Sequence, residues 1–142
     1  MSRISLIYDR SPYILADYNG CIADDIAICK SDSGVNGARL ADAHIRLGRK
    51  LGEVMRGFIP NVNSAVIVLE RGGRFFGDGV YTGFGGTFNS YNPKTDALPD
   101  IQQGLVLIVD SVINTGKSVL NMIDKLKQKN LAIEIVIVSN VI

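Results

Sequence analysis

The sequence predicts an α/β domain built on a parallel sheet, and three observations carry that expectation. Apolar runs at residues 65–69, 105–109 and 133–138 are nearly continuous rather than alternating and are rich in β-branched side chains. Such runs suit strands buried on both faces of a parallel sheet. Between the last two, Val119, Met122, Ile123 and Leu126 recur at helical spacing and complete a strand, helix, strand unit. The first two runs each end at a charged residue and then a loop, where open α/β sheets present ligand sites.

Taken in order, the first thirty residues alternate weakly, through Ile4, Leu6 and Tyr8 and then Ile14 and Ala16, which fits a hairpin at an edge. The segment Ser31-Asp32-Ser33-Gly34 opens a helix whose apolar stripe is Leu40, Ala43, Leu47, Leu51, Val54 and Met55, ending near Gly57. That helix feeds the strand at 65–69. Residues 80–100 turn to Gly, Thr, Asn, Ser, Tyr and Pro, the composition of a flexible flap. The 142 residues are expected to form a single domain (1–142), with 1–33 as an edge or hood segment and 80–100 as the flap.

Charge and composition exclude several function classes. Fifteen Lys and Arg against 14 Asp and Glu leave a net charge of +1, which gives no electrostatic footprint for nucleic acid or for an anionic membrane. Cys21 and Cys29 are too few for a disulfide framework and lack zinc spacing, so reduced thiols are expected. No signal peptide and no apolar stretch of about 20 residues is evident, and a cytoplasmic protein is expected. His44 reads as a packed helix residue, and Arg39, Arg46, Arg49 and Lys50 as a solvated face. Asp9, Tyr13, Asp17, Asp24 and Asp25 lie in an acidic stretch that by default is solvated.

The strand at 105–109 is followed by Asp110, a short polar loop and a helix from about Lys117. Helix N-terminal amides and the helix dipole receive an anion in that geometry. Gly116 allows close backbone approach, and Thr115 and Ser118 offer hydroxyls. Gly116-Lys117-Ser118 also ends the nucleoside triphosphatase pattern, but that pattern needs a glycine where Ser111 stands. Earlier, the run through Glu70-Arg71-Gly72-Gly73 makes a second strand-end turn able to aim amides into the same crevice.

An acid at a strand end, a hydrophobic pair and then Thr-Gly-x-Ser opening a helix resembles the phosphoribosyl pyrophosphate signature of type I phosphoribosyltransferases. The stretches LPDIQQGLVLIVD and SVLNMIDKLKQK are similar to those of the uracil branch, which also has a single acid here. The resemblance implies a Rossmann-like parallel sheet flanked by helices, with a minimal or absent hood. It implies that Asp110 holds the ribose hydroxyls, with Asn114, Thr115, Gly116, Lys117 and Ser118 around the 5′-phosphate and Ser111 a further substrate-binding residue. A carboxylate can accept two hydroxyl donors at once, and loop amides suit phosphate oxygens.

By the same resemblance, Glu70, Arg71, Gly72 and Gly73 hold pyrophosphate, through a Glu70–Arg71 cis peptide, with Arg74 a secondary contact. Arg71 and Asp110 are the catalytic candidates. Tyr81, Tyr91 and Lys94 would touch substrate from the flap, Mg²⁺ would be the cofactor with Asp110 an indirect ligand, and a homodimer is implied. The uracil enzymes extend beyond the point matching Val138 with a base-reading segment, whereas the sequence stops at Ile142. Base recognition is then expected from the first thirty residues, from the flap, from another subunit, or not at all. Two functions follow: transfer of 5-phosphoribose to a nitrogenous, uracil-like base, or a non-catalytic phosphoribosyl pyrophosphate or nucleotide-binding regulator or partner subunit.

Overall fold

A computed structural model describes residues 3–5, 15–17, 23–30, 32–59, 63–70, 73–112 and 116–141. A four-stranded parallel sheet in the order β4-β3-β5-β6 organises them, formed by β3 (Ser64–Leu69), β4 (Thr87–Tyr91), β5 (Leu105–Val112) and β6 (Glu134–Val141). The three apolar runs of the sequence are β3, β5 and β6. All six residues of β3 are buried, as expected of a strand covered on both faces.

Helices cover both faces. On one lie α2 (Gly37–Phe58) and α3 (Arg74–Phe84), whose Leu47, Phe76, Val80 and Phe84 pack on Val66, Val68, Leu107 and Val109. On the other, α4 (Lys117–Lys129) packs Val119, Met122 and Leu126 on Ala65, Ile67, Val106 and Ile108. Alternation along the strands thus sends successive side chains to opposite helices. Apart from this core, β1 (Arg3–Ser5) and β2 (Leu15–Asp17) pair antiparallel in a separate two-stranded sheet, so the early hairpin forms without joining the edge of the main sheet.

Three expectations are corrected. Residues 80–84 and 87–91 are regular structure rather than flap, because α3 runs to Phe84 and β4 follows as an edge strand after a two-glycine turn; the longer irregular stretch is 92–104. Glycines hide α3 in the sequence, and close packing explains them. A Cβ at Gly79 or Gly83 would run into the carbonyl oxygens of Ile45 or Arg49 on α2, and one at Gly48 into that of Phe76 on α3. Interhelical approach at that distance excludes any side chain, which outweighs the poor helix propensity of glycine.

Asp25 is the second correction. It lies on α1 (Ala23–Cys29) and is only 5% exposed, bridged from Oδ1 to Arg46 Nη2 at 3.0 Å and from Oδ2 to Lys50 Nζ at 3.2 Å. The third follows from it: Arg46 and Lys50 leave the expected solvated face of α2 to hold α1 in place, since a buried carboxylate needs paired charges. Asp24 is exposed as expected, and Asp9, Tyr13 and Cys21 lie outside the described residues.

Candidate functional site

The parallel register sets the carboxyl ends of β3 and β5 side by side, with Val68 opposite Val109. Both strands therefore end at one edge of the sheet. The two ends also touch: a Cβ at Gly73 would lie 2.8 Å from the Leu69 carbonyl oxygen and 3.3 Å from the Asp110 Cα. Only glycine lets the chain leaving β3 fold back onto the end of β5 so closely. The two motifs, some forty residues apart in sequence, thus meet at one edge of the sheet.

Asp110 is half-buried, and strand alternation puts it on the α4 side, since Val106 and Ile108 pack there and Leu107 and Val109 pack opposite. The first turn of α4 belongs to the same side. Gly116 precedes it at φ 76°, in the left-handed region, and its carbonyl accepts the Leu120 N–H at 2.8 Å. Gly116, as the N-cap residue, has no side chain to cap the helix, and the first-turn amides have no acceptor within the helix itself. An anion placed there meets both those amides and the positive end of the dipole. Lys117 and Ser118 are exposed, and Ser111 continues β5. Asn114 and Thr115 lie outside the described residues.

At the end of β3 the expected amide cradle narrows. Glu70 N–H donates to the Tyr91 carbonyl at 2.9 Å and Gly73 N–H to the Leu69 carbonyl at 3.2 Å, so two of the four amides from Glu70 to Gly73 are already engaged. Arg71 and Gly72, with the Glu70–Arg71 bond, lie outside the described residues. Alternation turns the Glu70 side chain toward α3, away from the Asp110 side. It influences Asp78 there: burial raises the Asp78 carboxyl above its usual range, Arg74 opposes the rise and Glu70 adds to it. Sequence reasoning missed Asp78, whose helix it did not detect.

The aromatic flap candidates prove to be packing residues. Tyr81 lies on α3 and meets the Phe88 ring edge-on at 5.1 Å between centroids, and Tyr91 ends β4 at 4% exposure among core residues. Lys94 alone stands in the irregular stretch, exposed, on a turn where its N–H donates to Asn92 Oδ1 at 3.0 Å and Asn92 N–H donates to Asp96 Oδ2 at 2.9 Å. It follows β4 directly, at the same edge of the sheet as Asp110.

Two titratable groups stand apart from the crevice. Burial lowers the His44 pKa, in keeping with a packed helix residue. The Cys29 thiol is pushed up by burial, then by Asp25, with Arg46 opposing, which keeps it protonated and poorly nucleophilic. Among the described residues no three His, Cys, Asp or Glu side chains gather as a metal cluster, and no helix is long and apolar enough to cross a membrane.

A parallel sheet in the order β4-β3-β5-β6 with helices on both faces defines a Rossmann-like α/β fold. Residues 89–142, from within β4 through β6, match the family model described as uracil phosphoribosyltransferase. Over that region the chain resembles the family that its Asp110 motif suggests. No curated sequence shows significant similarity to the chain. Among solved structures, a hypoxanthine phosphoribosyltransferase from Staphylococcus aureus is similar at 16% identity and a TM-score of 0.47. A hypoxanthine-guanine-xanthine phosphoribosyltransferase is similar at 19% identity and a TM-score of 0.48. In both cases the similarity covers 70% of this chain and 62% of the other.

Proposed function

We propose that the protein is a phosphoribosyltransferase, moving 5-phosphoribose from phosphoribosyl pyrophosphate to a nitrogenous base, with a uracil-like acceptor favoured. One observation carries the reading. Asp110 and the start of α4 share one side of the sheet, inside the region matching the uracil family model.

In the reaction the bond from ribose C1 to pyrophosphate oxygen breaks and a bond from C1 to a base nitrogen forms. Most of the work is positioning and charge stabilisation. Asp110 accepts the ribose hydroxyls and the α4 amides grip the 5′-phosphate, which fixes C1. Pyrophosphate departs toward the β3 turn, where Arg71 neutralises it and the Gly72 amide donates to it. Lys94 closes from the segment after β4. Mg²⁺ suits this donor set, because it binds readily through substrate phosphates and water with one protein carboxylate, here Asp110. It would supply charge neutralisation for the departing pyrophosphate. A cytoplasmic homodimer is part of the same proposal.

The test is pyrophosphate release from phosphoribosyl pyrophosphate and Mg²⁺ with uracil, hypoxanthine and other free bases, beside Asp110→Asn. Release that depends on one base and vanishes in the variant is expected. Absence of release with every base, from protein that still binds phosphoribosyl pyrophosphate, would overturn transfer in favour of a regulator or partner subunit.

A further inference from the structure

The short helix α1 is docked by a charge rather than by an apolar stripe. Among its described side chains Asp25 is the buried one; Ile26, Ile28 and Cys29 are half-buried, and Asp24 and Ala27 are exposed. Isolated helices need about 12–15 residues to persist, so the seven of α1 depend on docking for their shape. Ile26 and Cys29 supply partial apolar cover against the core cluster that contains Leu47. The anchor itself is the Asp25 carboxylate, held by Arg46 and Lys50, which stand four residues apart and so share one face of α2. Those side chains are 43% and 28% exposed, so both cations can be solvated when the carboxylate leaves.

The joint between α1 and α2 is built to turn. The carboxyl end of α1 is closed locally, by Ser33 N–H donating to the Lys30 carbonyl at 3.1 Å and the Ser33 hydroxyl to the Ile28 carbonyl at 2.7 Å. Between that closure and α2 stand Gly34 at φ 74° and Gly37 at φ 63°, and a Cβ at either would meet nothing within 4 Å. Glycine moves between left-handed and right-handed backbone at little cost, and neither position is locked by close packing.

We propose that α1 is a hinged strap, which pivots on residues 34–37 and is latched to α2 by Asp25. Its open and closed forms differ by one buried carboxylate and the half-buried Ile26 and Cys29, while the sheet, α2, α3 and α4 stay folded. A buried ion pair adds little net stability, yet breaking it by removing one partner is costly. That combination suits a latch, which sets position without holding the whole fold together. Opening uncovers the apolar surface that Ile26 and Cys29 touch. The inference does not rest on the phosphoribosyl reading of Asp110.

Hydrogen exchange of the full chain, read segment by segment by mass spectrometry, tests it on wild type, Asp25→Asn, Arg46→Gln and the double variant Asp25→Asn/Arg46→Gln. In wild type the α1 amides are expected to exchange faster than those of α2, β3 and β5, through an opening that leaves the core protected and ends at the start of α2. Asp25→Asn is expected to raise α1 exchange about tenfold or more, the scale of one hydrogen bond to a charged group, with core exchange unchanged. Arg46→Gln is expected to raise it less, since Lys50 remains, and to add little in the Asp25→Asn background, because both break one latch. Wild-type α1 amides that exchange only together with the core would overturn the proposal. So would α1 exchange in Asp25→Asn equal to that of wild type. Equal rises in α1 and the core would make Asp25 a support of the whole fold and overturn it as well.

Discussion

The two faces of the sheet are built for different purposes. On the α2 and α3 face, two helices interlock through Gly48, Gly52, Gly79 and Gly83 until their backbones meet, and Gly77 admits the Val68 side chain. On the α4 face a single helix covers the strands, and at its amino-terminal end polar groups take over from apolar ones: Asp110, Ser139 and three first-turn amides. Close packing makes the first face stiff, because an interior at crystal density has little room to yield. The second carries the groups proposed to bind ligand, on elements that this stiffness holds in register. A substitution on the first face should cost stability, whereas one at the end of the second should cost binding.

The largest effect is expected from Gly48→Ala, which drives a methyl group into the Phe76 carbonyl, backbone that cannot swing aside. A loss of about 1–3 kcal/mol or more in urea unfolding, with ligand affinity preserved in whatever fraction folds, is expected. A neutral Gly48→Ala would break the comparison, for it would mean that α2 and α3 stand further apart.

Next comes Gly116→Ala on the other face. Its φ of 76° is left-handed, so a methyl group there costs about 1–2 kcal/mol if the conformation is kept. The chain can relieve that strain by moving the start of α4, and the sharper expectation is loss of phosphate-ligand affinity beyond the loss of stability. Equal losses in the two measurements would deny the loop its binding role.

The smallest effect concerns acid sensitivity of the stiff face. Burial holds the His44 pKa below 6.5, so the unfolded chain takes up a proton first as pH falls. Stability is full above pH 6.5 and is lost as pH drops through that value toward the folded pKa. His44→Gln is expected to flatten that part of the stability profile, read as urea midpoints across the range. A steeper profile would reverse the assignment.

How much of this was legible in the sequence follows the same division. β3, β5, β6 and α4 could be read because long apolar runs and a clean helical stripe are local patterns. α3 could not, since Gly77, Gly79 and Gly83 satisfy a neighbour that sequence reading does not see, and β4, with Phe88 and Ser90 exposed at an edge, lacks an apolar run. The loop motif gave Asp110 and the start of α4. It could not show that Asp110 stands opposite Ser139, because register across β5 and β6 is a property of the folded sheet. Nor could it show that the Glu70 and Gly73 amides are engaged, or that Asp25 is buried between Arg46 and Lys50.

The central claim is that Asp110 and the α4 amino terminus bind one phosphorylated ribose. Calorimetry of wild type and Asp110→Asn with phosphoribosyl pyrophosphate, and with ribose 5-phosphate as the half that reaches no pyrophosphate turn, tests it most directly. Wild type is expected to bind both ligands, and the variant to lose about tenfold or more for each, the scale of one hydrogen bond to a charged group. Equal affinity in the two proteins for both ligands would contradict the claim and leave the crevice without its sugar site.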